Sequence, residues 1–182
     1  MSRSNGFSLV ELMVAMVIGL IIILGAGQLF LTVFQTNRQI ELLGEKQAAV
    51  NFAVESLLRD IRRAGPGIGW SNGELSLTVP NRGDIAGCGD DINKIYRLSD
   101  SVVGPRLGRA LEMGQKCNGV VEESDFFQIV AGFEDDDEAF SVDPVQLSDG
   151  IALLTLRLIP AGNGPVDVLE FYAVNRTAAV TN

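Results

Sequence analysis

Apolar and polar positions divide the chain into three textures. From Leu12 to Phe34 only Gln28 and Thr32 carry polar side chains, and no position is charged. A helix of this stretch is about 34 Å long, enough to cross a hydrocarbon layer of about 30 Å. Past Phe34 the pattern turns amphipathic. Ile40, Leu43, Gln47, Val50, Val54, Leu57 and Ile61 fall at alternating three- and four-residue steps, which is one stripe on a helix, polar only at Gln47. Glu41, Glu45, Lys46, Glu55, Arg59 and Arg62 decorate the other faces, with Glu55 and Arg59 an i,i+4 pair. The stripe is expected to pack on the chain's own sheet; a free coiled coil would need a longer and cleaner heptad run. The stop is marked twice. Arg62 and Arg63 suit the negative end of the helix dipole, and Gly65-Pro66-Gly67 cannot continue a helix.

The third texture is glycine-rich loops between short β-type runs. Glu74–Val79 alternates, with Leu75, Leu77 and Val79 on one side, and Pro80-Asn81-Arg82-Gly83 ends it. Ile92–Leu98 is a weaker strand. Asp125–Ala131 and Ile151–Ile159 read as core strands, and Val166–Val174 reads as a return strand after a turn from Pro160 to Pro165. One long helix followed by sequential strands predicts an α+β fold, an antiparallel sheet packed on the helix's C-terminal half.

Charge is distributed unevenly along the chain. Up to Gly65, Arg3, Arg38, Lys46, Arg59, Arg62 and Arg63 nearly balance Glu11, Glu41, Glu45, Glu55 and Asp60. The remainder, with 8 cations and 18 acids, therefore carries −10, against a net charge of −9 for the whole chain. A head this acidic repels a phosphate backbone, so direct nucleic-acid binding is not expected. The chain has no histidine, which removes Ser-His-Asp and Cys-His catalysis and any histidine-bearing metal site. There is no phosphate-binding glycine loop, and the glycines at Gly65–Gly69 follow a helix where a dinucleotide site needs a strand. An enzyme is not expected.

Cys88 and Cys117 fit neither a redox Cys-x-x-Cys nor a zinc cluster. In an oxidising compartment they form one disulfide closing a loop of about 30 residues, worth roughly 3–4 kcal/mol; otherwise they are two buried thiols. The run Glu134-Asp135-Asp136-Asp137-Glu138 offers hard oxygen ligands, and Asp135, Asp136 and Asp137 are calcium candidates. The alternative is a solvated acidic loop. Asp90 and Asp91 beside Cys88 form a weaker candidate pair. No other cofactor is expected.

Glu11 is the exception inside the apolar texture. An ionisable group in a membrane segment costs at least about 2.5 kcal/mol and usually marks a functional pairing; the alternative is a carboxylate resting among lipid headgroups. Arg3 and the free amine favour a cytoplasmic N-terminus. No small-residue cleavage site follows the apolar stretch, so it is expected to stay as an anchor.

Gly6-Phe7-Ser8-Leu9-Val10-Glu11-Leu12-Met13-Val14-Ala15-Met16 resembles the leader and methylation signature of type IV prepilins and pseudopilins. The resemblance implies that a prepilin peptidase cuts between Gly6 and Phe7 and that the new amine of Phe7 is methylated. It implies assembly of the apolar helix with other minor and major pilins at an inner-membrane platform. Glu11 would then meet the Phe7 amine of a neighbouring subunit. Some pseudopilins bind calcium in their heads. The division implied is a leader over 1–6, a transmembrane and filament-core helix over 7–34, an amphipathic stalk over 35–65 and a β-rich head over 66–182. The head would lie in the periplasm before assembly and on an extracellular fibre afterwards.

The long stalk, the Arg-Arg-Ala-Gly-Pro-Gly stop and the acidic head with two cysteines resemble the PilW type of minor pilin. Where many major pilins carry a proline this chain has Gln28, with Gly25-Ala26-Gly27 just before it, and the missing proline favours a minor component. The glycines serve either local melting or close helix packing. A J-type pseudopilin of type II secretion shares the architecture. A membrane-anchored adhesin or DNA-uptake module is the alternative from another class.

Overall fold

The computed structural model describes residues 8–65, 67–89, 91–104, 108–143, 150–160 and 164–176. Helix α1 spans Leu9–Arg63, with Glu11 in its first turn and Arg62 and Arg63 in its last. Eight strands follow: β1 Gly69–Ser71, β2 Glu74–Pro80, β3 Asp91–Leu98, β4 Arg109–Cys117, β5 Phe126–Phe133, β6 Phe140–Val142, β7 Ile151–Leu158 and β8 Asp167–Val174. The chain divides into two compact units, 1–44 and 45–182. The first is the N-terminal part of α1. The second holds the rest of the helix and the whole sheet, so the expected α+β architecture is present.

All pairings between strands are antiparallel, in the order β1-β2-β3-β4-β5-β7-β6, with β8 also on β7. Leu154, Thr155 and Leu156 pair with both β6 and β8, which places those strands on opposite edges of β7. Trp70 of β1 meets Phe140 of β6 edge to face at 5.3 Å.

Strict alternation makes the core. β2 buries Leu75, Leu77 and Val79, and β7 buries Ala152, Leu154, Leu156 and Leu158. The helix adds Ala53, Leu57 and Ile61, with Ala64 just past its end. Each fully buried large aliphatic side chain is worth about 1.5–3 kcal/mol. The Gly65 amide donates to the Thr78 carbonyl at 2.8 Å, joining the helix exit to β2.

Three expectations change. The apolar stripe is buried only in its later part, because the second unit begins at Glu45; Ile40 and Leu43 remain 61% and 45% exposed. The strand expected over Asp125–Ala131 as core runs Phe126–Phe133 and joins the core only in its later part: Phe127 and Gln128 are exposed, Ile129 and Val130 pack against the core and Phe133 is buried in it. Its one pairing with β7 is Phe133 with Leu158, so most of β5 has a neighbour on one side only among the described residues. Strands β1, β4 and β6 were not foreseen from the pattern.

Candidate functional site

From Leu9 to Phe34 the N-terminal unit is an apolar surface with one carboxylate. Leu9, Val10, Leu12, Met13 and Val14, around Glu11, are each more than half exposed, as are Leu20 to Leu24 and Leu29 to Leu31. A contiguous apolar surface of this extent is not stable against water and marks a lipid or protein contact. By length and composition the helix is able to cross a membrane, with a mean hydropathy of 2.7 over its most apolar window and none of that window buried. Two threonines satisfy their hydroxyls on the helix backbone: Thr32 Oγ1 donates to the Gln28 carbonyl at 3.0 Å and Thr36 Oγ1 to the Thr32 carbonyl at 2.9 Å. Among the described residues Glu11 has no such local outlet. The next charged residue along α1 is Arg38, about 40 Å further on at helical rise. A Cβ added at Gly19, Gly25 or Gly27 would meet nothing within 4 Å, so these notches are open to a neighbour. Gly6 and Phe7, the expected processing residues, lie outside the described residues.

The second unit holds a buried charge cluster that pattern reading missed. Asp60, 1% exposed, lies on the sheet-facing side of α1. Its Oδ2 accepts from Lys94 Nζ at 2.9 Å and from Tyr96 Oη at 2.7 Å. Its Oδ1 accepts from Arg63 Nε at 3.0 Å. Arg63 also donates from Nη2 to Asp84 Oδ2 at 2.7 Å. Burial of the phenol, then the adjacent Asp60 charge and hydrogen bond, push the Tyr96 pKa well above its ordinary value. At Asp84 burial works the other way, but the Arg63 hydrogen bond and the charges of Lys94, Arg63 and Arg59 prevail and lower the pKa. The readable signal was parity. On β3 the inward positions are Ile92, Lys94, Tyr96 and Leu98, so a lysine in that register needed a buried acid opposite it.

The same helix segment is held further up. Lys46 Nζ donates to the Ile159 carbonyl at 2.6 Å and to the Asp167 carboxylate, clamping the β7–β8 turn to α1.

Cys88 and Cys117 form a disulfide, with Cα atoms 5.8 Å apart. It ties the segment before β3 to the end of β4.

The acidic run is a turn between β5 and β6 that arginines neutralise. Asp136 Oδ2 and Glu138 Oε2 lie 3.2 and 3.3 Å from Arg157 Nη1, and Asp137 Oδ1 lies 3.1 Å from Arg109 Nη1. Asp135 stands exposed at the start of the turn. The described residues contain no group of three His, Cys, Asp or Glu side chains able to hold a metal ion, so the three aspartates do not converge as a calcium site would require. Of the weaker pair, Asp91 opens β3, exposed, and Asp90 lies outside the described residues.

Residues 1–27 match the family model described as the prokaryotic N-terminal methylation motif. No curated protein and no solved structure matches the chain.

Proposed function

We propose that this chain, which carries the N-terminal motif of the type IV prepilin and pseudopilin superfamily, is a minor pilin of the PilW type that takes part in priming a type IV pilus. The motif, together with the long apolar helix, is consistent with membrane anchoring and with a structural subunit instead of an enzyme. The observation that carries the reading is the exposed apolar run with Glu11 as its single charged side chain from Leu9 to Phe34.

The mechanism follows from the electrostatics of that surface. Cleavage after Gly6 creates a cationic amine on Phe7, which cannot sit unpaired among apolar helices. Glu11 of an axially offset neighbour supplies the counter-charge. A buried pair contributes little net affinity, but a misplaced neighbour strands a charge at about 3–5 kcal/mol, so the pair sets register. The exposed apolar faces then bundle, and an assembly motor elsewhere supplies the work. The acidic head is unsuited to gripping DNA.

Intact mass of the chain recovered from cells tests the first step: the expected species begins at a methylated Phe7. Glu11→Ala is expected to leave that mass intact apart from the substitution, while its amount in sheared surface pili falls at least tenfold. Normal incorporation of the variant would overturn the register argument. A protein still beginning at Met1 would leave an ordinary single-pass anchor. A processed protein absent from surface pili but present with a secretion apparatus would point to the J-type pseudopilin.

A further inference from the structure

We infer that the Cys88–Cys117 disulfide is a redox-set lock on the C-terminal end of α1, transmitted through Asp84 and Arg63. Among the described residues the segment joining β2 to β3 forms no strand, and its internal shape comes from the Asn81 side chain and a backbone bond from the Cys88 amide to the Ile85 carbonyl at 3.3 Å. Asn81 Nδ2 donates to the Ile85 carbonyl at 3.0 Å and to the Cys88 carbonyl, and its Oδ1 accepts from the Gly83 and Ile85 amides at 3.0 and 3.3 Å. These bonds hold the segment's shape but not its position. Among the described residues its position comes from Ile85 and Cys88 against the core, from the sulfur bridge to the last residue of β4, and from Asp84 on Arg63.

The last of these reaches the buried cluster. The guanidinium that Asp84 grips is the one that grips Asp60, and Asp60 in turn holds Lys94 and Tyr96. One short segment is therefore fastened covalently to the sheet at one point and by charge to the helix end at another. The ring that the bridge closes is mostly β3 paired with β4 and stays folded without it, so opening the bridge frees the connecting segment at its Cys88 end. Asp84 then leaves Arg63, and water reaches a carboxylate that is 1% exposed in the closed state. Ion pairs weaken steeply as water enters, so the helix end loosens from β3. The Lys46 clamp engages Ile159 and Asp167 and is independent of this route.

The chemistry is thiol–disulfide exchange. Two cysteine thiols give up two electrons and two protons to the disulfide of a thiol–disulfide oxidoreductase, through a mixed disulfide, and that enzyme leaves as a dithiol; reduction is the reverse. On the assembly role proposed above, oxidation of the head precedes incorporation, because the C-terminal end of the helix is fixed against β3 only afterwards.

Hydrogen exchange on the full chain in detergent micelles tests the lock. Reduction with a phosphine, verified by a mass gain of two hydrogens, is expected to speed exchange over Leu57–Gly65 by about ten- to hundredfold. That is the range of one lost charge-assisted hydrogen bond and its consequences. Amides of β7 and β8 are expected to stay unchanged. In the oxidised protein Asp84→Asn is expected to speed the same amides, and reduction of that variant to add less than it does in the wild type. Unchanged helix-end exchange in the verified dithiol would overturn the lock, as would uniform acceleration across the head. No effect of Asp84→Asn in the oxidised protein would overturn the transmission route. Because reduction needs no mutation, a poorly folding cysteine variant does not stand in the way.

Discussion

Asp60 is the residue on which the second unit turns, because it is a buried anion satisfied from three directions by Lys94, Tyr96 and Arg63. Each donor has a different consequence. Lys94 and Arg63 cancel the charge, and breaking such pairs strands what remains. Tyr96 is neutral, and the cluster keeps it so: its pKa is raised by burial and then by Asp60. The fold thus holds the phenolic proton more tightly than the unfolded chain does, where tyrosine titrates near its ordinary value of about 10. The stability linked to this group is fully present below about pH 10 and declines as the pH rises beyond it. Tyr96→Phe is expected to cost about 1.5–3 kcal/mol at pH 7, the worth of one hydrogen bond to a charged acceptor. The gap between wild type and variant is expected to shrink above about pH 10, where the wild type alone must ionise Tyr96 to unfold. Urea midpoints measured from pH 7 to pH 11 check both statements. A gap that stays constant to pH 11 would contradict the linkage.

Elements were legible where one period held from end to end. α1, β2, β7 and β8 carry unbroken apolar patterns, and their expected limits lie within two residues of those observed. β3 read as weak because Lys94 occupies an inward position, so a functional-looking interruption in the pattern was in fact the buried partner of Asp60. β4 was not legible at all. Its register shifts after Arg109 and again after Leu111, which destroys a period of two, and Gly114 interrupts the side-chain sequence. That glycine has a reason. A Cβ there would lie 2.4 Å from Val121 Cγ1 and 3.1 Å from the Phe126 ring, since the connection from β4 to β5 folds back over the sheet at this point. The Arg97 guanidinium stacks 3.7 Å from the Phe126 ring and pairs with Glu123, fastening that connection down. The branched Val121 has little rotameric freedom with which to yield. Gly114→Ala is accordingly expected to destabilise the head by about 1–3 kcal/mol through overpacking. The same change at Gly67 would act through its positive φ of 109° instead, with no neighbour to displace. Thermal denaturation of Gly114→Ala, with near-ultraviolet circular dichroism on the aromatic environment, measures the first effect. Unchanged stability would mean the connection is loosely held.

At the scale of the whole chain, the division that matters falls inside the helix. The pattern placed the head's beginning at 66, after the glycines that stop α1, because a change of secondary structure is the visible boundary. Burial places it about twenty residues earlier, at Glu45. The reason is that Leu57 and Ile61 are fully buried members of the head's core and Asp60 is the counter-ion of its buried lysine. Lys46 adds the first tie to the β7–β8 turn. Two truncations separate these views. A chain beginning at Glu45 discards the exposed apolar run and keeps every one of those contacts, so it is expected to be soluble without detergent and to unfold in one cooperative transition. A chain beginning at 66 loses Ala53, Leu57 and Ile61 and leaves Lys94 buried without Asp60. Two large aliphatics at about 1.5–3 kcal/mol each, plus an unpaired buried charge at about 3–5 kcal/mol, approach or exceed the 5–15 kcal/mol by which domains are usually stable. It is therefore expected to be aggregated or to lack a sharp transition. Differential scanning calorimetry on the two proteins decides the matter. A cooperative transition of equal midpoint in the shorter chain would show that the helix is an ornament to the sheet instead of part of its core.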